Sequence, residues 1–218
     1  MHINPFNTNQ HLYFENTYRG LPVMQHRGPL VEQYLGNLHR VVYQALQAHR
    51  RICAIRFDLR FPVGMFSASD ATTNQVMSRF IESLKAKVRH NRACAKERDP
   101  SSPDTDLRYV WAREASQDGR VHYHVTILLN RDAFFTLGHF TSDKPNMAKR
   151  IVEAWASALG LPAECSGGLV HFPQNAVYRF DANSQDDLAA FFYRVSYLCK
   201  ADTKHFGHGH HGFGASRH

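Results

Sequence analysis

A chain of 218 residues with 43% hydrophobic content is long enough for one domain with a substantial core. Its 26 Lys and Arg against 19 Asp and Glu leave a formal charge of +7, a balance that draws polyanions. No apolar run approaches the roughly 18 residues of a spanning helix, no signal peptide is expected, no Gly-rich phosphate loop occurs, and Cys53, Cys94, Cys165 and Cys199 stand apart without a Cys-x-x-Cys pair. That excludes a spanning helix and argues against a zinc knuckle, a disulfide framework and a nucleotide-driven motor; a reducing cytoplasm fits.

Residues 1–27 are polar and aromatic without periodicity, which predicts an irregular N-terminal arm. From Pro29, the residues Leu30, Val31, Tyr34, Leu35, Leu38, Val41, Val42 and Ala45 recur at helical spacing, predicting a helix toward Arg50. Ile55 to Phe61 alternates without a break and reads as a strand. A helix from about Asp70 ends in the basic runs Lys85 to Arg92 and Lys96 to Arg98, which suit phosphate contacts and equally an ordinary solvated face. Leu107 to Glu114 and Val121 to Leu129 read as two strands of a hairpin. Next comes a helix capped by Asn146, with Ile151, Trp155, Ala158 and Leu159 on one face and Gly160 at its end. Short strands near 169–172 and 177–180 precede a last helix from Ser184. The mixture predicts an α+β fold, a central antiparallel β-sheet covered by helices, in one body over 28–204 followed by a Gly/His-rich tail over 205–218 that is unstructured or loosely docked.

The densest chemistry lies in His122-Tyr123-His124-Val125-Thr126. Strand side chains alternate, so Val121, Tyr123, Val125, Ile127 and Leu129 form one apolar face while His122, His124 and Thr126 share the other. Two neutral imidazoles on a rigid strand make a clamp for a divalent metal, although His-x-His also suits the solvated side of an amphipathic strand. Parity decides whether Glu114 joins them. A three-residue loop over Gln117 to Gly119 pairs 114 with 122 and puts the carboxylate on the histidine face; a two-residue Asp118-Gly119 turn would pair 114 with 123 and turn it away. The first arrangement is expected, and two nitrogens with one carboxylate oxygen suit Mg²⁺ or Mn²⁺.

Ser184 with Asp187 is a capping signal, and helical periodicity continues toward Lys204. Leu188, Phe191, Phe192, Val195, Leu198 and Cys199 form an apolar face; Tyr193, Tyr197, Lys200 and Lys204 gather opposite. A phenol is a poor nucleophile at neutral pH and needs a polarised substrate and a nearby cation, which Lys200 is placed to offer one turn beyond Tyr197. An ordinary exposed face would carry the same residues. One tension follows: a helix lying on the sheet by its apolar face would point Tyr197 away from the histidines, unless it tilts at a cleft edge or the 29–50 helix takes the apolar side.

His122-Tyr123-His124 followed by Tyr197-Leu198-Cys199-Lys200 resembles the HUH endonuclease superfamily of rolling-circle replication initiators, relaxases and related transposases, and Ile55 to Pro62 looks like its first strand motif. More narrowly, Arg56 to Pro62, Gly119 to Asn130, Tyr193 to Lys204 and Phe213 to Arg217 are similar to the YagK/YfjJ C-terminal family, associated with inovirus-like prophages. The resemblance covers about residues 50 to 217. It implies an HUH/RRM-like palm and a site-specific endonuclease and ligase for rolling-circle replication of a phage or prophage. Such an enzyme cuts single-stranded DNA at a replication origin through a 5′-phosphotyrosine link with Mg²⁺ or Mn²⁺, in the cytoplasm of a bacterial host. In this sequence Tyr197 would be the nucleophile, His122 and His124 metal ligands, Glu114 the third ligand, Lys200 a stabiliser of charge and Tyr193 a second nucleophile. Host helicase and polymerase stay open as further partners, and no membrane is implied.

Two other classes use the same residues. A metal-independent phosphoesterase would pair His124-Val-Thr126 with His139-Phe-Thr141 as acid and base. A non-catalytic DNA-binding regulator would need only the charge and the aromatics.

Overall fold

Period-two alternation dominates the middle of the chain, and the computed structural model, which describes residues 2–64, 73–116, 119–139, 144–202 and 211–217, turns it into one antiparallel sheet. The strands are β1 His2–Asn4, β2 Asn7–Tyr13, β3 Thr17–Tyr18, β4 Leu21–Pro22, β5 Leu30–Val31, β6 Arg51–Arg60, β7 Arg108–Ala115, β8 Val121–Asn130, β9 Val170–His171, β10 Val177–Asp181 and β11 Phe213–Ala215. Four α-helices lie among the described residues: α1 Glu32–Ala48, α2 Gln75–Arg98, α3 Met147–Leu159 and α4 Gln185–Ser196. The main sheet runs β10-β6-β8-β7-β11, with β9 also on β6, so the fold is α+β as expected.

Helices cover both faces of this sheet. Cys53, Ile55, Phe57 and Leu59 of β6 join Tyr123, Val125, Ile127 and Leu129 of β8 under α2 and α3. Trp155 of α3 is fully buried there and its indole N–H donates to the Arg60 carbonyl at 2.8 Å, so the largest core side chain carries no unmet polar atom. The opposite face is divided. Ile52, Ala54, Val110, Ala112 and Leu128 pack under α1 and α4, whereas the same face toward the far end of β6 carries Arg56 and Asp58, alongside Glu114, His122, His124 and Thr126. The helices take the apolar half, and the polar half becomes a floor.

Local signals explain several boundaries. Asn146 caps α3 by accepting from the Lys149 N–H at 3.0 Å, and Gly160 closes it at φ 69°, a left-handed conformation that favours glycine. The helix expected from Pro29 begins at Glu32, because Leu30 and Val31 instead pair with Tyr13 and Leu12 across β2. The helix expected from about Asp70 begins at Gln75; residues 65–72 lie outside the described ones, and 73–74 are not helical.

The two ends of the chain correct the sequence reading most. Residues 1–27 are not an irregular arm. β1 and β2 join β5 in a three-stranded sheet, and β3 and β4 form a short hairpin, with Tyr18, Leu21 and Val23 buried against α1 and α4. Their hydrophobic signal is diluted by polar residues facing solvent, as expected of edge strands. The tail is not merely a loose extension either. Residues 203–210 lie outside the described ones, but Phe213, Gly214 and Ala215 pair with Ala112, Trp111 and Val110 as the sheet's last strand. A Cβ on Gly214 would stand 2.4 Å from Cε2 and Cζ2 of Trp111, far inside contact distance. Gly214→Ala is therefore expected to cost about 1–3 kcal/mol through overpacking, read as a lower urea midpoint. An unchanged midpoint would show that Trp111 shifts to admit the methyl group without cost.

Candidate active site

The site floor follows from register. Ser116 and Arg120 close the hairpin, with the Ser116 N–H on the Arg120 carbonyl at 3.0 Å and the Gly119 N–H on the Ser116 carbonyl at 2.8 Å. Gly119 takes φ 77°, and Gln117 and Asp118 lie outside the described residues. The pairing that results sets Glu114 opposite His122 and Ala112 opposite His124, which puts the carboxylate on the histidine face. One possible ligand atom each from Glu114, His122 and His124 lies within 4.8 Å of the other two. His122 Nε2 and His124 Nε2 are 3.3 Å apart, and His124 Nε2 is 3.5 Å from Glu114 Oε2.

Those distances suit a shared cation. Two imidazole nitrogens each about 2.1 Å from one ion stand about 3 Å apart when they bind at right angles. The chemistry of the donors agrees. Burial, helped by the neighbouring His124, pushes the His122 imidazole below its ordinary pKa, which favours its neutral, metal-binding form.

His124 is oriented from behind by Asp58, which falls within the strand expected from Ile55 to Phe61. Cross-strand pairing sets Asp58 opposite His124, and Asp58 Oδ1 accepts from His124 Nδ1 at 2.5 Å, which turns Nε2 toward Glu114 and His122. Burial raises the pKa of Asp58, but bonds from His124 and His171 and the charge of Arg56 outweigh it, leaving the carboxyl at about 2. His171 of β9 completes this network, its Nδ1 lying 3.2 Å from Asp58 Oδ2. Burial alone would lower the His124 pKa; the Asp58 and Glu114 carboxylates raise it instead.

The tyrosine reaches this floor because the last helix stops early. α4 ends at Ser196, Tyr197–Cys199 form a 3-10 turn, and Lys200 leaves in extended backbone to bridge Leu30. The helix expected toward Lys204 is thus cut short, and Lys204 lies outside the described residues. The N-terminal segment holds the break in place: the Met24 N–H donates to Ser196 Oγ at 2.9 Å, and the Ala201 N–H to the Pro29 carbonyl at 2.8 Å. In a 3-10 turn residues three apart eclipse, so Lys200 sits over Tyr197. Lys200 Nζ donates to Tyr197 Oη at 2.6 Å and lies 3.2 Å from Glu114 Oε2, while the Tyr197 ring meets the His124 ring edge-on at 5.7 Å. The tension between apolar and tyrosine stripes is resolved here: α4 keeps its apolar face on the sheet beside α1, and the change of helix type redirects the phenol.

Tyr193 goes elsewhere. Its hydroxyl is 3.2 Å from His26 Nδ1, with the two rings stacked at 6.4 Å. Glu114, His122, His124, Tyr197 and Lys200 are therefore gathered, and Tyr193 stands apart from them. Of the two His-x-Thr motifs, Thr126 is fully buried, and Phe140 and Thr141 lie outside the described residues.

A cleft of about 380 Å³ opens beside the tyrosine, lined by Met24, Arg27, Arg56, Arg194, His124, Tyr197 and Lys200. Met24, Arg27, Arg56 and Arg194 are given no site role by the sequence. Alternation in Ile55 to Phe61 does put Arg56 and Asp58 on one face, but only the register with β8 aims them at the histidines. Nothing local in the sequence ties Met24, Arg27 or Arg194 to them.

The sequence model of the YagK/YfjJ C-terminal domain matches residues 14–216. YagK of Escherichia coli (strain K12) is 33% identical over 209 residues, 92% of this chain and 98% of the relative. YfjJ of the same organism is 32% identical over 200 residues, 87% of this chain and 96% of the relative. Both relatives are described as uncharacterized proteins, and no solved structure matches the chain.

Proposed function

The chain belongs to the YagK/YfjJ C-terminal domain family, and we propose that it is a metal-dependent nuclease that nicks and rejoins single-stranded DNA through a covalent tyrosine link. The observation that carries this reading is convergence: three possible metal donors from a hairpin and a lysine-bonded phenol from a helix end come together, and His124, Tyr197 and Lys200 of that group line an open cleft with three arginines. Such a set serves transfer of a phosphoryl group better than simple binding.

Glu114, His122 and His124 would hold a Mg²⁺ or Mn²⁺ ion, which supplies Lewis-acid polarisation of a phosphate oxygen. Tyr197 Oη attacks phosphorus, forming the tyrosine–phosphate ester and breaking the bond to the 3′ oxygen. The phenolic proton is lost, the 3′ oxygen takes one up, and the products are a 5′-phosphotyrosine and a free 3′-OH. Lys200 stabilises the phenolate through its 2.6 Å hydrogen bond. Asp58 keeps the His124 ring turned with Nε2 into the site. Because the ester preserves the phosphodiester energy, attack by a 3′-OH on the link rejoins a strand without a nucleotide cofactor. Rolling-circle replication of a phage or prophage from a specific origin is the process this chemistry serves, with single-stranded origin DNA as the partner and host helicase and polymerase as open further partners.

The test is a denaturing gel of the protein incubated with Mn²⁺ and end-labelled single strands from its flanking genome. A slow covalent band carrying 3′-labelled DNA, shortened 5′-labelled product, and loss of both in EDTA are expected. Retained DNA binding with no such band would leave a non-catalytic DNA-binding regulator in its place.

A further inference from the structure

Arg56 is a buried cation that the tyrosine chemistry leaves unused. It lies on β6 directly across from Thr126 of β8, on the floor side of the sheet, and is only 6% exposed. Among the described residues its Nε and Nη1 have no hydrogen-bond partner, and neither has Thr126 Oγ1. Asp58 is a poor counter-ion for it: Oδ1 is 4.0 Å from Arg56 Nη2 and is already bonded by His124, while Oδ2 faces His171. Leaving guanidinium N–H groups buried and unbonded is costly, and burial accordingly pulls the Arg56 pKa down.

The surroundings indicate what would satisfy it. Arg56 lines the 380 Å³ cleft together with Arg27, Arg194 and Lys200, and no carboxylate is among the described lining residues. Its guanidinium carbon is 5.9 Å from the centre of the Tyr197 ring, on the face of the sheet where the phenol arrives. Lys200 already has Glu114 at 3.2 Å, so the uncompensated charge is that of the arginines. A guanidinium fork in the wall of a cleft wide enough for a tetrahedral anion, with two donors that no protein group satisfies and two more arginines lining the same cleft, matches a phosphate oxyanion.

We propose that Arg56, with Arg27 and Arg194 at the rim, forms a phosphate-oxyanion subsite beside Tyr197, separate from the metal donors. Assigning its occupant to a phosphate of the nucleic-acid backbone rests on the nuclease reading; the anion subsite itself does not. As a backbone contact it would fix which phosphate lies in front of the phenol, by holding a neighbouring one. Arg56 is then a positioning residue for the strand.

Binding measured in EDTA separates the subsite from metal and from cleavage. The full chain would be titrated with inorganic phosphate and with a short oligothymidylate at fixed ionic strength, as wild type, Arg56→Met, Arg56→Lys and Arg50→Met. Arg50 is exposed and lies outside the cleft, so its variant controls for the loss of one charge. Arg56→Met is expected to weaken binding about 10- to 100-fold, the scale of lost charge-assisted hydrogen bonds, with Arg56→Lys between and Arg50→Met within about threefold of wild type. The thermal midpoint of ligand-free Arg56→Met should equal or exceed that of wild type, because an unsatisfied buried charge is removed. A structural arginine would do the reverse. Binding of both probes, or of the oligonucleotide alone, assigns the backbone as occupant; binding of phosphate alone assigns a free phosphate. A lower midpoint with anion binding intact in Arg56→Met, or no binding of either probe by wild type, overturns the subsite. Covalent adduct formation is read separately in Mn²⁺, so its absence would overturn the nuclease reading and leave these binding results standing.

Discussion

Tyr197→Phe is expected to abolish the covalent protein–DNA band, a loss of at least about 10³-fold, while Tyr193→Phe keeps it within about threefold of wild type. Both tyrosines come from one stretch of sequence, four residues apart, and on an unbroken α-helix they would lie one above the other. The break at Ser196 separates them: Tyr197 turns to Lys200 and His124, and Tyr193 to His26. Phenylalanine keeps the ring packed against His124 and removes only the hydroxyl, the proposed attacking group, so a folding defect is a poor explanation for lost activity. Equal thermal midpoints for the two variants would confirm that. If Tyr193→Phe alone removes the band, the roles are exchanged. If both variants keep it, another residue carries the link.

Lys200 makes the assignment of Tyr197 more than a matter of proximity. A nearly buried ammonium bonded to the phenolic oxygen on one side and to Glu114 on the other ties the proposed nucleophile to a proposed metal donor through one side chain. Lys200→Ala is expected to slow adduct formation about 10²- to 10³-fold without preventing it, the usual scale for losing one preorganised donor, as measured by single-turnover kinetics. A rate unchanged from wild type would reduce Lys200 to a packing residue.

What the sequence made legible followed periods and local caps. Two-residue alternation in Val121 to Leu129 put His122 and His124 on one face, and the length of the hairpin loop put Glu114 with them. Asn146 and Gly160 bounded α3 because capping depends on a few neighbouring residues. Contacts between distant segments were not legible. Asp58 joins His124 only because β6 and β8 pair in one of several registers, and Arg27 and Arg194 meet through the N-terminal segment folding over the end of α4. The helix type at Tyr197 was hidden for the same reason. Periodicity in Ser184 to Lys204 is that of a continuous helix, and the extended exit at Lys200 is set by its bridge to Leu30, far away in sequence.

Metal affinity supplies the second large effect. His122→Ala and Glu114→Gln each remove one of the three proposed donors and are expected to weaken Mn²⁺ binding by at least about 100-fold, read by titration calorimetry on the metal-free protein. Asp58→Asn removes none of the three, yet it should weaken binding about 10- to 100-fold through His124. An amide can present its N–H₂ group to His124 Nδ1, which favours the tautomer carrying its proton on Nε2, the nitrogen facing His122 and Glu114. The three variants differ in what they predict for the empty protein, which separates metal loss from unfolding. His122 is the more exposed of the two histidines, so His122→Ala should leave the metal-free stability within about 0.5 kcal/mol of wild type and remove only the stabilisation added by Mn²⁺. Asp58→Asn breaks a buried ion pair with His124 and should lower the metal-free midpoint as well. Mn²⁺ stabilisation that survives in His122→Ala and Glu114→Gln alike would place the ion somewhere other than this hairpin, and the 3.3 Å approach of the two imidazoles would then be a hydrogen bond between them.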